Sequence, residues 1–396
     1  MGRLRVLYLS SWPIGVHGEG AASFVYEQVA ALGKVVDACY VQHGFSDALS
    51  WVRKRASGRD VQPISDLWPH DVRAACITTP RLPPRFTGRD LLTDVWKAGA
   101  IVAARAVQSM GRIDLIHAHV VLPAGLLGAA IAKALCVPLI VQEHSAPFSM
   151  HTDTAVKRKA VALALGSARC VCAVGQMLAQ EVNTEFKALA PVVVFPNLVR
   201  TTLFKAEPMP VDRTALRLVT VGSLERRKGL DILLQAVRLV QDSGQAVQLR
   251  IVGTGSLRAS LEPQLIRCGQ DPATALVGQL TRQQVAHEFE NAHVYVCSSR
   301  AESFGIAAAE ALSVGRPVVT TRCGGPESFV GETCGEVVAP DDPQEMASAI
   351  LRTWNRLDDF EPICLHAMVD ARFGSDAFCD RMLALYDQTV GARAAA

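Results

Sequence analysis

Ser298–Val319 reads SSRAESFGIAAAEALSVGRPVV. The apolar run Val294–Cys297 just ahead of it predicts a strand that ends near Ser298–Ser299. A polar turn follows. A helix is predicted from about Ser303 to Val314, and Pro317–Thr321 predicts the next strand. A helix joining two apolar strands is the repeating unit of a parallel sheet covered on both faces.

The same alternation extends in both directions. Around this stretch lie strands Leu216–Val221, Gln248–Val252 and Ala275–Val277, with helices Leu230–Gln241, Leu257–Leu265, Arg282–Glu290 and Pro343–Leu357. Toward the N-terminus lie strands Val6–Ser10, Val35–Gln42, Asp114–Ala118, Leu139–Gln142, Cys170–Val174 and Val192–Phe195, with helices Ala21–Leu32 and Ala124–Leu135. Phe195–Arg213 carries Pro196, Pro208 and Pro210 without clear period and marks the linker. The expected fold class is α/β, with two doubly wound, Rossmann-like domains facing a central cleft. Their expected extents are 1–200 and 201–372, with 373–396 as a terminal helical segment.

Residues 51–89 break the rhythm. Arg53, Lys54, Arg55, Arg59, Arg73, Arg81, Arg85 and Arg89 are interleaved with Trp51, Trp68 and Phe86, and prolines mark irregular chain. An insertion is expected there, either a surface that meets membrane or acceptor or a solvated loop.

Composition narrows the function classes. The chain has 396 residues, 49% hydrophobic and 20% charged, which excludes a disordered protein, a collagen and a coiled coil. A net charge of only +2 argues against a general nucleic-acid binder. Residues 1–204 hold 21 Lys and Arg against 14 Asp and Glu; residues 205–396 hold 19 against 24. Halves of opposite sign suggest domains with different partners. The 11 cysteines form no Cys-x-x-Cys pair, which fits a reducing, cytoplasmic setting. The N-terminus reads as a strand rather than a signal peptide. Val120–Val141 is almost wholly apolar, but Pro123, Pro138 and Lys133 favour a helix and a short strand over a membrane span.

The motifs point to a phosphorylated ligand. The helix after Ser303 would present free N–H groups to an anion, and small residues from Gly305 to Ala309 allow close approach. Glu302 sits at the helix mouth. Glu310, seven residues after Ser303, is expected on that residue's face, beside a ribose. Val219–Gly229 reads VTVGSLERRKG, so Arg226, Arg227 and Lys228 follow a strand, either facing phosphates or merely solvated. Gly253-x-Gly255 follows another strand, but Arg258 occupies the third glycine position of a dinucleotide fingerprint. The loop Ser11–Ser23 contains Gly15, Gly18 and Gly20 and could meet a ligand backbone-first. His117 and His119 alternate on a strand without an evident third metal ligand. One is expected in the cleft and the other packed structurally. No Asp-x-Asp occurs, which favours phosphate stabilisation without a metal.

Together these segments resemble glycosyltransferase family 4, the retaining, nucleotide-sugar-dependent enzymes of the GT-B fold. Glu302-x7-Glu310 with Ser303-Phe304-Gly305, Lys228-Gly229, Pro196-Asn197, Cys323-Gly324-Gly325-Pro326-Glu327 and His117-Ala118-His119 carry the likeness. Ser223 stands where many members have Arg, and Leu198-Val199-Arg200 replaces the usual Gly-Val-Asp after the Asn. The resemblance implies catalytic roles for His119, Glu302 and Lys228. It implies donor contacts from Gly20, Ser223, Arg227, Lys228, Gly253, Ser303, Phe304, Gly305, Ile306 and Glu310. It implies a terminal helix, Asp376–Val390, that returns to the first domain. The expected reaction is retaining hexosyl transfer from a nucleotide diphosphate sugar to a glycan or polyprenyl-linked acceptor, in cell-surface polysaccharide synthesis. No metal or other cofactor is expected, nor nucleic acid. The expected place is the cytoplasm, with peripheral contact to an anionic inner membrane face. A non-catalytic nucleotide-sugar-binding scaffold of the same fold, and a nicotinamide oxidoreductase built on Gly253, are the competing classes.

Overall fold

The computed structural model describes residues 3–12, 23–47, 50, 53–54, 56–57, 61–63, 68, 71–81, 91–187 and 189–391. The chain forms two compact units, residues 1–198 with 378–396, and residues 199–377.

The first unit is built on eight strands: β1 (Arg5–Ser10), β2 (Asp37–Asp47), β3 (Val61–Pro63), β4 (Val72–Arg81), β5 (Leu115–His119), β6 (Leu139–Glu143), β7 (Cys170–Ala173) and β8 (Val192–Val194). Their order is β3-β4-β2-β1-β5-β6-β7-β8, parallel except for the antiparallel β3–β4 pair. The central strands are buried along their whole length, as a sheet covered on both faces requires.

The expected insertion at 51–89 is corrected in part. Val72–Arg81 runs beside Ala38–Asp47 as a full sheet strand. Val72 and Ala74 point into the core while Arg73 points out and donates to the Ser109 carbonyl at 2.8 Å. The arginines hide this period-two pattern in the sequence. Trp68 is buried too, its ring 4.5 Å from that of Tyr40 and 4.8 Å from that of Tyr26. It therefore presents no aromatic surface to a membrane. Val120–Val141 forms a tight turn, the helix Leu126–Leu135 and most of β6. Among the described residues no helix is long and apolar enough to cross a membrane.

The terminal helix Ser375–Gly391 contributes Phe378, Met382 and Tyr386 to the core of the first unit. That contribution starts at Phe378, five residues beyond the expected boundary, because the preceding helix Pro362–Phe373 belongs to the second unit.

The second unit has six parallel strands: β9 (Leu216–Val221), β10 (Val247–Val252), β11 (Leu276–Gly278), β12 (Val294–Cys297), β13 (Val318–Thr321) and β14 (Gly335–Val338). Their order is β11-β10-β9-β12-β13-β14. The central pair β9–β12 is the point where strand order reverses, the position at which parallel sheets of this kind take ligands beyond the carboxyl ends of their strands. The helix Leu230–Asp242 buries Leu230, Leu233, Leu234 and Val237, an i, i+3, i+4, i+7 stripe. Each such side chain contributes roughly 1.5–3 kcal/mol on burial. Arg316 is wholly buried and donates to the carbonyls of Glu207, Pro208, Phe289 and Glu290, fixing the start of this unit to its body. All 11 cysteines are free thiols.

Candidate functional site

In the second unit the loops after β9, β10 and β12 converge. Gly253 has φ +136°, and a Cβ there would lie 1.9 Å from the Gly222 carbonyl oxygen. A Cβ on Gly255 would lie 2.6 Å from the Leu224 backbone, which itself bonds Thr254 at 2.9 Å and Leu257 at 3.0 Å. The Gly-x-Gly pair thus lets two loops lie backbone against backbone. Gly253 acts on the site through the Gly222–Leu224 loop.

Arg226–Lys228 is a single 3-10 turn closed by Gly229 at φ +60°. A Cβ on Gly229 would meet the Ser298 carbonyl oxygen at 2.0 Å, so the Lys-Gly pair is required by the contact between the β9 and β12 loops. The Ser298 hydroxyl donates to the Lys228 carbonyl at 2.8 Å. The Lys228 side chain folds back over Gly222, where a Cβ would sit 2.9 Å from its Cε. Its ammonium forms an ion pair with Glu302. The Ser299 hydroxyl donates to the same carboxylate oxygen at 2.7 Å. Burial raises the Glu302 pKa, but the Lys228 charge and hydrogen bond, with help from Ser299, outweigh that and leave it below the usual glutamate value. Glu302 is therefore an ionised acceptor of hydrogen bonds at neutral pH. Ser223 and Lys228 line a small pocket with Tyr295 and Ser299, and the exposed Arg227 guanidinium lies 3.4 Å from the Ser223 hydroxyl.

The helix at the mouth starts later than expected. Gly305 sits at φ +83° ahead of Ile306–Val314, and a Cβ on it would lie 2.4 Å from Pro326. Ser303 is thus in the loop and shares no helical face with Glu310. The backbone reversal at Gly305 is what the seven-residue spacing conceals. The Phe304 ring is buried against Phe329 and Phe373 at 5.3 and 5.2 Å, which leaves its backbone to meet any ligand. Glu327 accepts from the Gly324 N–H at 2.7 Å and holds the Gly-Gly turn against this loop. Glu310 is buried in the helix and ion-paired to Arg282 at 2.6 Å, whose guanidinium lies 4.8 Å over the Phe204 ring.

Arg282 and Arg300 are the residues the sequence reading missed. Arg300 pairs with Asp231 and Asp341 and bonds the Arg226 carbonyl. No local pattern betrays such partners, which lie 41–74 residues away.

In the first unit, His117 and His119 share one face of β5, as alternation predicts, but both are fully buried. The expectation of one histidine lining a cleft is corrected in that respect. His117 Nδ1 lies 2.7 Å from the Tyr386 hydroxyl, which donates to Tyr8 at 3.2 Å. His119 Nδ1 lies 3.1 Å from His144 Nε2, and its ring stacks on those of His117 and His144 at 4.5 and 5.3 Å. Burial drives the pKa of His117 and of His144 down to about 3, and that of His119 well below the usual value, so all three are neutral rings. His119 Nε2 has no hydrogen-bond partner among the described residues. Asn197 accepts from the Gln28 amide at 2.9 Å, closing the end of this unit. Gly20 lies outside the described residues. Among the described residues no group of three or more His, Cys, Asp or Glu is placed to hold a metal ion.

A family model described as "Glycosyl transferases group 1" matches residues 215–356, and one described as "Glycosyltransferase Family 4" matches residues 53–203. The chain is a family 4-type glycosyltransferase. This glycosyltransferase is 26% identical over 350 residues to the 2-deoxystreptamine glucosyltransferase of Streptomyces kanamyceticus, spanning 81% of the present chain and 89% of the relative. It is 28% identical over 251 residues to the putative teichuronic acid biosynthesis glycosyltransferase TuaC of Bacillus subtilis, 60% of this chain and 61% of that one. Among solved structures it resembles the sucrose-phosphate synthase of Thermosynechococcus elongatus, with TM-score 0.74, 21% identity and coverage of 98% and 100%. It also resembles Anabaena HepE in complex with UDP, with TM-score 0.69, 18% identity and coverage of 97% and 100%. At those identities the likeness is one of fold, and the fold is GT-B.

Proposed function

We propose that this glycosyltransferase is a retaining hexosyltransferase that takes its sugar from a nucleotide diphosphate donor. The observation that carries the reading is the Lys228 ammonium at the carboxyl end of β9, held beside an ionised Glu302. Lys228, with Arg227 and the N–H groups at Gly305 and Ile306, would neutralise charge developing on the departing diphosphate. No metal is required in this scheme. Glu302 would accept a hydrogen bond from a sugar hydroxyl, and Glu310 from the ribose. The UDP complex of Anabaena HepE supports the donor class. The name of the Bacillus relative supports a glycan acceptor in cell-surface polysaccharide synthesis. The cationic balance of residues 1–204 supports a lipid-linked acceptor at an anionic inner membrane face.

The test is a thermal-shift panel of UDP, GDP and their hexoses, each with EDTA or Mg²⁺, followed by NMR of the anomer formed on transfer or slow hydrolysis. A ligand that binds only the native state raises the midpoint by mass action. One nucleotide series should raise it equally with and without chelator, and the product should keep the donor's anomeric configuration. Donor binding without any turnover would instead favour the non-catalytic scaffold.

A further inference from the structure

Arg300 stands two residues before Glu302 and reaches three separate segments. Its Nη1 and Nη2 grip Asp231 in parallel at 3.0 and 2.8 Å, and its Nε meets Asp341 at 2.7 Å. Nη1 also donates to the Arg226 carbonyl at 2.6 Å, and the Arg300 backbone N–H donates to the Arg227 carbonyl at 2.7 Å. The next carbonyl, that of Lys228, accepts from Ser298 at 2.8 Å. Every carbonyl of the 226–228 turn is therefore fixed from the β12 loop, two of them by Arg300.

Little of this is needed for stability. The Asp231 and Asp341 side chains are 45% and 56% exposed, and ion pairs of that exposure contribute about 0–1 kcal/mol each. The guanidinium fork instead supplies fixed geometry, which an ammonium on a flexible stem cannot copy. The Asp231 carboxyl, held below its usual range chiefly by the Arg300 hydrogen bond, stays ionised to complete the fork.

We propose that Arg300 is a positioning residue for the donor diphosphate: it fixes the backbone of the Arg226–Lys228 turn so that the Lys228 ammonium meets the phosphates. This rests on the donor-site reading above.

Calorimetric affinities for UDP and for uridine, on the full chain, test it; GDP and guanosine replace them if the panel selects guanine. Uridine makes no phosphate contact and reports the rest of the site. Lys228→Met should weaken UDP about tenfold or more, the worth of one charge-assisted hydrogen bond, and leave uridine within about twofold. Arg300→Met should reproduce that split, and Arg300→Lys should fall between it and wild type. Unchanged UDP affinity in Arg300→Met, or an equal loss for UDP and uridine, would overturn the proposal. If Lys228→Met keeps full UDP affinity, the donor-site reading itself fails, and the Arg300 variants are not needed to see it. Should Arg300→Met not fold, Arg300→Lys and Asp231→Asn carry the same comparison.

Discussion

In the second unit the buried Glu302 is ion-paired to a half-buried Lys228, whereas His117, His119 and His144 of the first are buried as neutral rings. Both clusters stand at the carboxyl ends of parallel strands, where such sheets place ligands. They differ in what surrounds them. Lys228 and Glu302 compensate each other's desolvation, and Ser299 adds a hydrogen bond. The histidine rings face one another and a tyrosine, and among the described residues no carboxylate hydrogen-bonds any of the three rings. The first arrangement can respond to ligand charge. The second can only donate or accept hydrogen bonds.

The largest expected effect tests the charged side. Lys228→Met should lower transfer turnover about 10²–10³-fold, as loss of a preorganised cation at a developing anion does. The thermal midpoint should move by only a few degrees, because an unpaired Glu302 can take up a proton. Steady-state rates with saturating donor check this; an unchanged rate would remove the contrast between the two clusters.

Acid sharpens the comparison, since the two clusters respond to it over different pH ranges. A histidine in the unfolded chain takes up its proton near pH 6.5, but buried His117 and His144 do so only at about 3. Between those values the unfolded chain binds more protons, so stability falls as pH drops below about 6.5. Each ring removes up to about 2 kcal/mol by pH 5. Glu302, whose pKa is lowered, contributes stability that is present above the ordinary glutamate value of 4.5 and lost as pH falls through its lower folded value. His293, pushed down to about 4 mainly by burial, adds one histidine of the first kind to the second unit. Hydrogen exchange at pH 7, 6 and 5 should therefore show β5 and β6 losing protection before β9 and β12. Loss in the reverse order would contradict the neutral assignment.

The charged cluster was the more legible of the two. Lys228-Gly229 and the Glu302 loop each sit at a strand's end in sequence, and the period of the flanking helices places them in one sheet. Their partners were less visible. Gly229 and Gly305 carry backbone demands that appear only when a second loop presses on them. Arg300 gains its meaning from Asp231 and Asp341, and Glu310 from Arg282, none of which a local window connects. In the first unit the His-x-His alternation predicted a shared face, but its burial depends on Tyr386, 269 residues from His117. Strand β4 is hidden for a related reason, since Arg73 and Arg81 interrupt its apolar run and make the stretch read as a solvated insertion.

Tyr386 offers the smallest and most selective probe of the neutral cluster. Its hydroxyl spans His117 Nδ1 at 2.7 Å and Tyr8 at 3.2 Å, and burial raises its pKa well above the usual value, so it remains a neutral group at every pH of interest. Tyr386→Phe keeps the ring in the core and removes only the oxygen. The expected loss is about 1–2 kcal/mol, that of one buried neutral hydrogen bond and a partner left without it. Urea midpoints at pH 7 measure it, and a cycle with Tyr8→Phe separates the hydroxyl coupling from packing. Because no charge is involved, the loss should be the same at low salt and at 0.5 M salt (about a 4 Å screening length). A salt-dependent loss would mean that an imidazolium is present, and the first unit's cluster would then belong with the second's.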